Sequence, residues 1–174
     1  MTLPPFVVRS GAVPETEGAY PAPFEAEKLS LGRDLGTAAG SRRLGAWRER
    51  LLPGRRTSFT HAHVREEELV YVLAGRPSLR WLEPGRDAQE VELQPGDFVS
   101  FPASTGVAHT FWNRSDADAE LLVVGERQTG SARTTPRILF EAWRDDTRPH
   151  RAWPDPVRAD TDARWPRPAS RPSA

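Results

Sequence analysis

His61-Ala-His63-Val-Arg-Glu-Glu-Glu68-Leu-Val-Tyr-Val-Leu-Ala-Gly75 is the stretch on which the reading of this chain turns. On an extended strand, side chains two apart leave the same face. His61 and His63 therefore present two imidazoles to one point. Val64–Glu67 is short enough to be a turn, after which Glu68 opens an apolar run, Leu69 to Leu73, that stops at Gly75. A carboxylate at the head of that run can return to the point the imidazoles face. Glu66 and Glu67 flank it as alternative donors, but strand register and the six residues separating it from Gly75 favour Glu68. Only four histidines occur in the chain, and a third, His109, stands in another β-like run, Ala108–Asn113. If that strand turns the side chain inward, His109 completes the set. The alternative for each histidine is an ordinary packed or surface strand residue.

Short β-like runs continue on both sides of this stretch. Strands are expected near Arg43–Leu51, Thr57–His63, Glu68–Leu73, Ser78–Leu82, Glu90–Leu93, Phe98–Phe101, Ala108–Asn113 and Glu120–Gly125. Pro53-Gly54, Gly75-Arg-Pro77, Pro84-Gly-Arg-Asp87, Pro95-Gly-Asp97 and Asn113-Arg-Ser-Asp116 separate them and supply the fixed or positive φ that a chain reversal needs. No helix-period stretch of useful length competes with this all-β reading. Alternation assigns the core to Val70, Val72, Phe98, Phe111 and Leu122.

Composition divides the 174 residues into an arm, a core and a tail. Residues 1–41 are rich in Pro, Gly and Ala, show only short apolar bursts such as Phe6-Val-Val8, and read as an extended arm with one strand. Residues 42–127 hold the β core. Residues 128–174 carry six prolines after position 140 and many Arg and Asp, which suits irregular chain, yet they also hold Trp143, Trp153 and Trp165, at least the first of which is expected to pack. The 24 basic and 24 acidic residues cancel, so no net field draws the chain to nucleic acid or an anionic membrane. Without Cys, disulfides, thiolate nucleophiles and Cys-based zinc sites are excluded. No signal-length apolar segment and no run of the ~20 apolar residues needed to span a bilayer is present, so a cytoplasmic protein is expected.

Three imidazoles and one carboxylate make a mixed nitrogen and oxygen donor set. It suits one divalent transition metal such as Fe, Mn, Ni, Co, Cu or Zn, and it disfavours Mg and Ca. Four protein donors on an ion that tolerates five or six leave room for a small-molecule ligand or substrate. Each imidazole must be neutral to bind, so metal occupancy is expected to fall below about pH 6, and more steeply than for a single proton.

The order of these residues resembles the two conserved motifs of the cupin superfamily. His61-Ala-His63, four residues, Glu68, six residues, Gly75 is similar to the first; Gly96, five residues, Pro102, then Gly106, two residues, His109, three residues, Asn113 is similar to the second. The resemblance covers about 42–127. It implies a double-stranded β-helix, a jelly-roll barrel with metal on His61, His63, Glu68 and His109, and commonly a homodimer. An apolar arm pairing with an unpaired edge strand would serve such a dimer. Two departures fall in loops: Pro102 and Gly106 stand three residues apart where the pattern has one, which lengthens Ala103–Val107 near the barrel mouth, and the Gly before the first motif sits one place early, at Gly54.

The remaining candidates have plainer readings. His150 stands in the tail beside Arg151 and reads as solvated. Arg48, Arg50, Arg55 and Arg56 could hold an anionic substrate, but salt-bridged surface is the simpler account. Ser58, Ser100, Ser104 and Thr105 offer hydroxyls, yet no core histidine is left over to activate one. No acid or base is evident beyond the ligands. Two functions follow: a small-molecule metalloenzyme of oxygenase, isomerase, lyase, decarboxylase or cyclase type, or a non-catalytic cupin whose metal holds a ligand or ties strands together.

Overall fold

The structure, a computed structural model, describes residues 3–20, 26–63, 65–83, 86–127 and 138–140. Eleven strands occur among them: β1 Thr16–Glu17, β2 Leu31–Asp34, β3 Leu44–Leu51, β4 His61–His63, β5 Glu68–Ala74, β6 Ser78–Leu82, β7 Gln89–Glu92, β8 Phe98–Phe101, β9 Ala108–Trp112, β10 Ala119–Glu126 and β11 Ile138–Phe140. They form two antiparallel sheets, of order β1-β2-β3-β10-β5-β8 and β11-β4-β9-β6-β7. This is the jelly-roll arrangement that the strand spacing predicts.

Strand parity decides which side chains fill the gap between the sheets. On β5, Val70 and Val72 are buried, while Tyr71 and Leu73 face outward. Register carries that parity across the sheet: Val70 pairs with Val99 and Tyr71 with Phe98, and Val72 pairs with Leu121. The core therefore contains Leu51, Val70, Val72, Leu79, Phe101, Phe111 and Leu121. Phe98 and Leu122, expected in the core, are not in it. Phe98 is 61% exposed, because it shares the outer face with Tyr71. Leu122 stands one position out of phase with Leu121.

Two further expectations change. The strand expected over Thr57–His63 is regular only at His61–His63. Upstream, Thr57 N still donates to Phe111 O (2.9 Å), and side chains supply further bonds: Tyr20 Oη accepts from Phe59 N (2.9 Å), Thr57 Oγ1 accepts from Phe111 N (3.2 Å), and Thr110 Oγ1 donates to Ser58 O (2.7 Å). In the arm, Phe6-Val-Val8 forms no strand, and Phe6 is exposed. The arm's strands are β1 and β2, and β2 pairs Leu31–Asp34 with Trp47–Arg50 of β3. A single-turn helix, α1 (Leu35–Ala38), follows, capped by the Asp34 carboxylate on Thr37 N. Apart from β11, the tail, with its three tryptophans and His150, lies outside the described residues.

Two motif residues act through the backbone. Gly75 has φ +75°, and a Cβ there would meet Asp118 O at 2.6 Å, so the β5–β6 turn requires glycine. Gly75→Ala should cost at least about 1–3 kcal/mol for the backbone conformation alone, read as a lower denaturant midpoint at unchanged m-value. A midpoint equal to the wild type would contradict this. Asn113 is fully buried, its Nδ2 donating to Leu51 O and Ala117 O (2.7 Å each) and its Oδ1 accepting from Ser115 N (3.0 Å). The long loop after β8 lies against the histidine strand, with Ser104 N donating to His63 O (3.1 Å).

Candidate metal centre

β4 and β9 lie side by side with His61 directly opposite His109. His61 and His63 share the inner face of β4, as period two requires, and Glu68 reaches them from β5 in the other sheet. His61 Nε2 stands 3.2 Å from His63 Nε2. Glu68 Oε2 is 3.3 Å from His63 Nε2, and Glu68 Oε1 is 3.0 Å from His109 Nε2. One ring nitrogen from each of the three histidines lies within 4.8 Å of the other two.

These spacings fit coordination. Donors about 2.1 Å from an ion stand about 3.0 Å apart at right angles and about 3.4 Å apart at the tetrahedral angle. The backs of the rings support the same direction. His61 Nδ1 lies 2.9 Å from Phe59 O and 3.0 Å from Ser58 Oγ. A carbonyl can only accept, so the proton sits on Nδ1 and the Nε2 lone pair faces the centre. His109 is 1% exposed and stacks on Phe101, with ring centroids 3.5 Å apart and planes 3° from parallel. Among the described residues, His63 Nδ1 lies 3.4 Å from Glu66 Oε2 without an aligned hydrogen-bond partner.

Burial, reinforced by His109 and His63, lowers the His61 pKa to about 3, so this ring stays neutral. Burial works in the same direction at His63, but the hydrogen bond and charge of Glu68, aided by Glu66, outweigh it and raise the pKa above its ordinary value. Burial would raise Glu68, yet its hydrogen bonds to His109 and His63 hold it well below the usual carboxylate range.

The centre opens into a cavity of about 510 Å³ that Trp47, Glu49, Thr57 and Phe111 also line. Glu49 corrects the expectation that no acid or base stands beyond the ligands. Burial is the main cause of its raised pKa, which a hydrogen bond from Ser30 opposes and the Glu68 charge reinforces. Its carboxyl lies over Gly32, where a Cβ would come within 3.0 Å of Oε1. Parity with Trp47 and Leu51 on β3 marks Glu49 as inward-facing, but its place between Arg48 and Arg50 reads as alternating surface charge.

Glu66 approaches the far nitrogen of His63, and Glu67 is exposed with its backbone N bonded to Glu126 Oε2 (3.2 Å). The arginine cluster is salt-bridged: Arg48 to Glu120 (2.5 Å), Arg50 to Glu15 (2.6 Å), Arg55 to Glu17 (2.7 Å) and Arg56 to Glu27 (2.8 Å).

A jelly roll with a mixed histidine and carboxylate cluster at the mouth of its cavity defines a class, and comparison gives it a family. The cupin domain family matches residues 47–125. A sugar phosphate isomerase of the cupin superfamily from Silicibacter pomeroyi is 31% identical, with 70% of this chain and 76% of that one covered and a TM-score of 0.62. A provisionally designated sugar phosphate isomerase from Acidithiobacillus ferrooxidans is 27% identical over 71% and 76%, with a TM-score of 0.61. The polyketide cyclase RemF from Streptomyces resistomycificus shares the fold at 22% identity, covering 70% and 79%, with a TM-score of 0.56. No curated protein matches the sequence significantly. The chain belongs to the cupin superfamily, and its His61, His63 and His109 form a group able to hold a metal ion. Among the described residues no helix is long and apolar enough to cross a membrane.

Proposed function

We propose that the chain is a small-molecule metalloenzyme of isomerase type, in which His61, His63, Glu68 and His109 hold one divalent transition metal. The supporting observation is the convergence of four donors at coordination spacing beside a cavity that contains a further, buried carboxyl, Glu49. When bound, the ion supplies Lewis acidity to a chelated hydroxycarbonyl compound, which acidifies the neighbouring C–H. Glu49 moves the proton. Burial raises its pKa, which makes the Glu49 carboxylate a stronger base than an exposed one. The cavity orients the substrate and excludes water, while Phe59 O and Phe101 hold the rings of His61 and His109 in place.

The two isomerase neighbours bear on the reaction type only through their own names. The test is proton exchange. Chain purified without an affinity tag should carry about one equivalent of metal after reconstitution. In D₂O it should then exchange the carbon-bound proton beside the carbonyl of at least one member of a panel of aldoses, ketoses and hydroxy acids, followed by NMR. Glu49→Gln should keep the metal and lose the exchange. Exchange by neither protein, with metal bound, would favour the non-catalytic ligand-holding reading instead.

A further inference from the structure

Resting on that reading of the metal centre, we infer that the cavity selects a chelating ligand that carries no phosphate, one uncharged or cationic away from its metal-binding oxygens, with Glu67 and Glu126 as specificity-determining residues. Among the described residues, the side chains of formal charge that line the cavity are five glutamates and one arginine: Glu49, Glu66, Glu67, Glu68, Glu126 and Arg127. Arg127 is already engaged. Its Nη2 donates to Asp34 Oδ1 (3.1 Å) and Thr37 Oγ1 (2.6 Å), and its Nε donates to Leu44 O (3.1 Å). Asp34 thus matches its charge on the side away from the centre.

The glutamates are fixed where a ligand would enter. Glu126 Oε2 accepts from Glu67 N, and Glu126 N donates to Glu67 O, both at 3.2 Å, so the two residues are held together at the rim. Glu66 lies behind His63. A divalent ion brings two positive charges and Glu68 cancels one. Glu67 and Glu126 together outweigh the remaining one. At the rim that imbalance acts on any charged ligand entering the recess, and salt screens it because both side chains are exposed. A phosphate ester would add roughly 1.5 to 2 further negative charges. Phosphate sites usually answer that charge with an arginine fork, a lysine or a cradle of backbone N–H groups. The described lining offers no uncommitted guanidinium or ammonium group for it. What the names of the isomerase neighbours say of their substrates is therefore not carried over to this chain.

Acetohydroxamate and phosphonoacetohydroxamate share one chelating head and differ by a phosphonate, which makes them a matched pair of probes. Each would be titrated into the full chain loaded with cobalt(II), followed by the cobalt d–d absorption and by calorimetry. Acetohydroxamate should bind at least about tenfold tighter, because like charges set side by side in a recess oppose binding. The gap should shrink as salt is raised. In Glu67→Gln/Glu126→Gln, whose amide oxygens can still accept the same backbone bond, cobalt content should be unchanged and the gap should narrow several-fold. Equal or tighter binding of the phosphonate by wild type, or an unchanged gap in the variant, overturns the proposal alone. A chain that takes up no cobalt overturns the metal reading and this proposal with it.

Discussion

Replacing His109 with alanine should lower the affinity for a divalent transition metal by about two to three orders of magnitude. Binding free energies of about 10–16 kcal/mol for four-donor zinc sites average roughly 2.5–4 kcal/mol per donor, and about 1.4 kcal/mol is a factor of ten. His109 is well placed to contribute a full share, since its ring is buried, stacked on Phe101 and aimed at Glu68 before any ion arrives. Truncating a packed ring also leaves a cavity, so the variant loses stability as well. His61→Ala, at a partly exposed position, separates the two effects: it should lose metal comparably with a smaller drop in melting temperature. Competition against a chromophoric chelator measures the affinity. A His109→Ala chain that retains wild-type affinity, or a His150→Ala chain that loses it, would move the centre elsewhere.

The second large effect is on pH dependence, where the structure alters the expectation drawn from three free imidazoles. Glu68 and Glu66 raise the His63 pKa above its ordinary 6.5, so in the metal-free fold this ring takes up its proton at a higher pH than a free imidazole does, and the ion must displace that proton. His61 does the reverse. Its pKa falls to about 3, so it does not compete for protons across the range in which the metal is lost. Affinity should therefore fall about tenfold per pH unit below the His63 pKa from this ring, with nothing added by His61 above about pH 3. A slope of three protons per ion would rule the account out. The same shifts set the stability of the metal-free fold. The raised His63 contributes stability that is full below pH 6.5 and is lost as pH rises through its folded value. Depressed His61 contributes above pH 6.5 and loses its share between 6.5 and about 3, and depressed Glu68 contributes above 4.5 and loses its share as pH falls further.

The centre was largely legible because its logic is local. Two imidazoles at i and i+2 need only one strand to share a face, and Glu68 follows after one turn. What was not legible depended on phase. Phe98 and Phe101 lie three apart on one strand and so must face opposite ways; only the pairing of Val99 with Val70 says which is inside. Leu121 and Leu122 pose the same choice, settled by the pairing of Leu121 with Val72. Glu49 was hidden for a related reason. In Arg48-Glu49-Arg50 the charges suggest solvent on every side, whereas the arginines turn to Glu120, Glu15 and Asp118 on one face and the carboxyl turns to the cavity on the other. The arm was misread because its ordering comes from partners far along the chain: β2 on β3, and Tyr20 beneath Phe59.

The sheet that carries Glu68 also has a temporal meaning. Its interior strand β10, from Ala119–Glu126, lies between β3 and β5, so residues 68 to 82 positions apart, such as Leu51 and Ala119 or Leu44 and Glu126, must meet before the sheet exists. His61, His63 and Glu68 are near neighbours in sequence and can cluster early, but His109 arrives only with β9, which needs β6 and β4 on either side. Long loops close slowly. Completing the donor set therefore depends on the same long-range closures that build the two sheets.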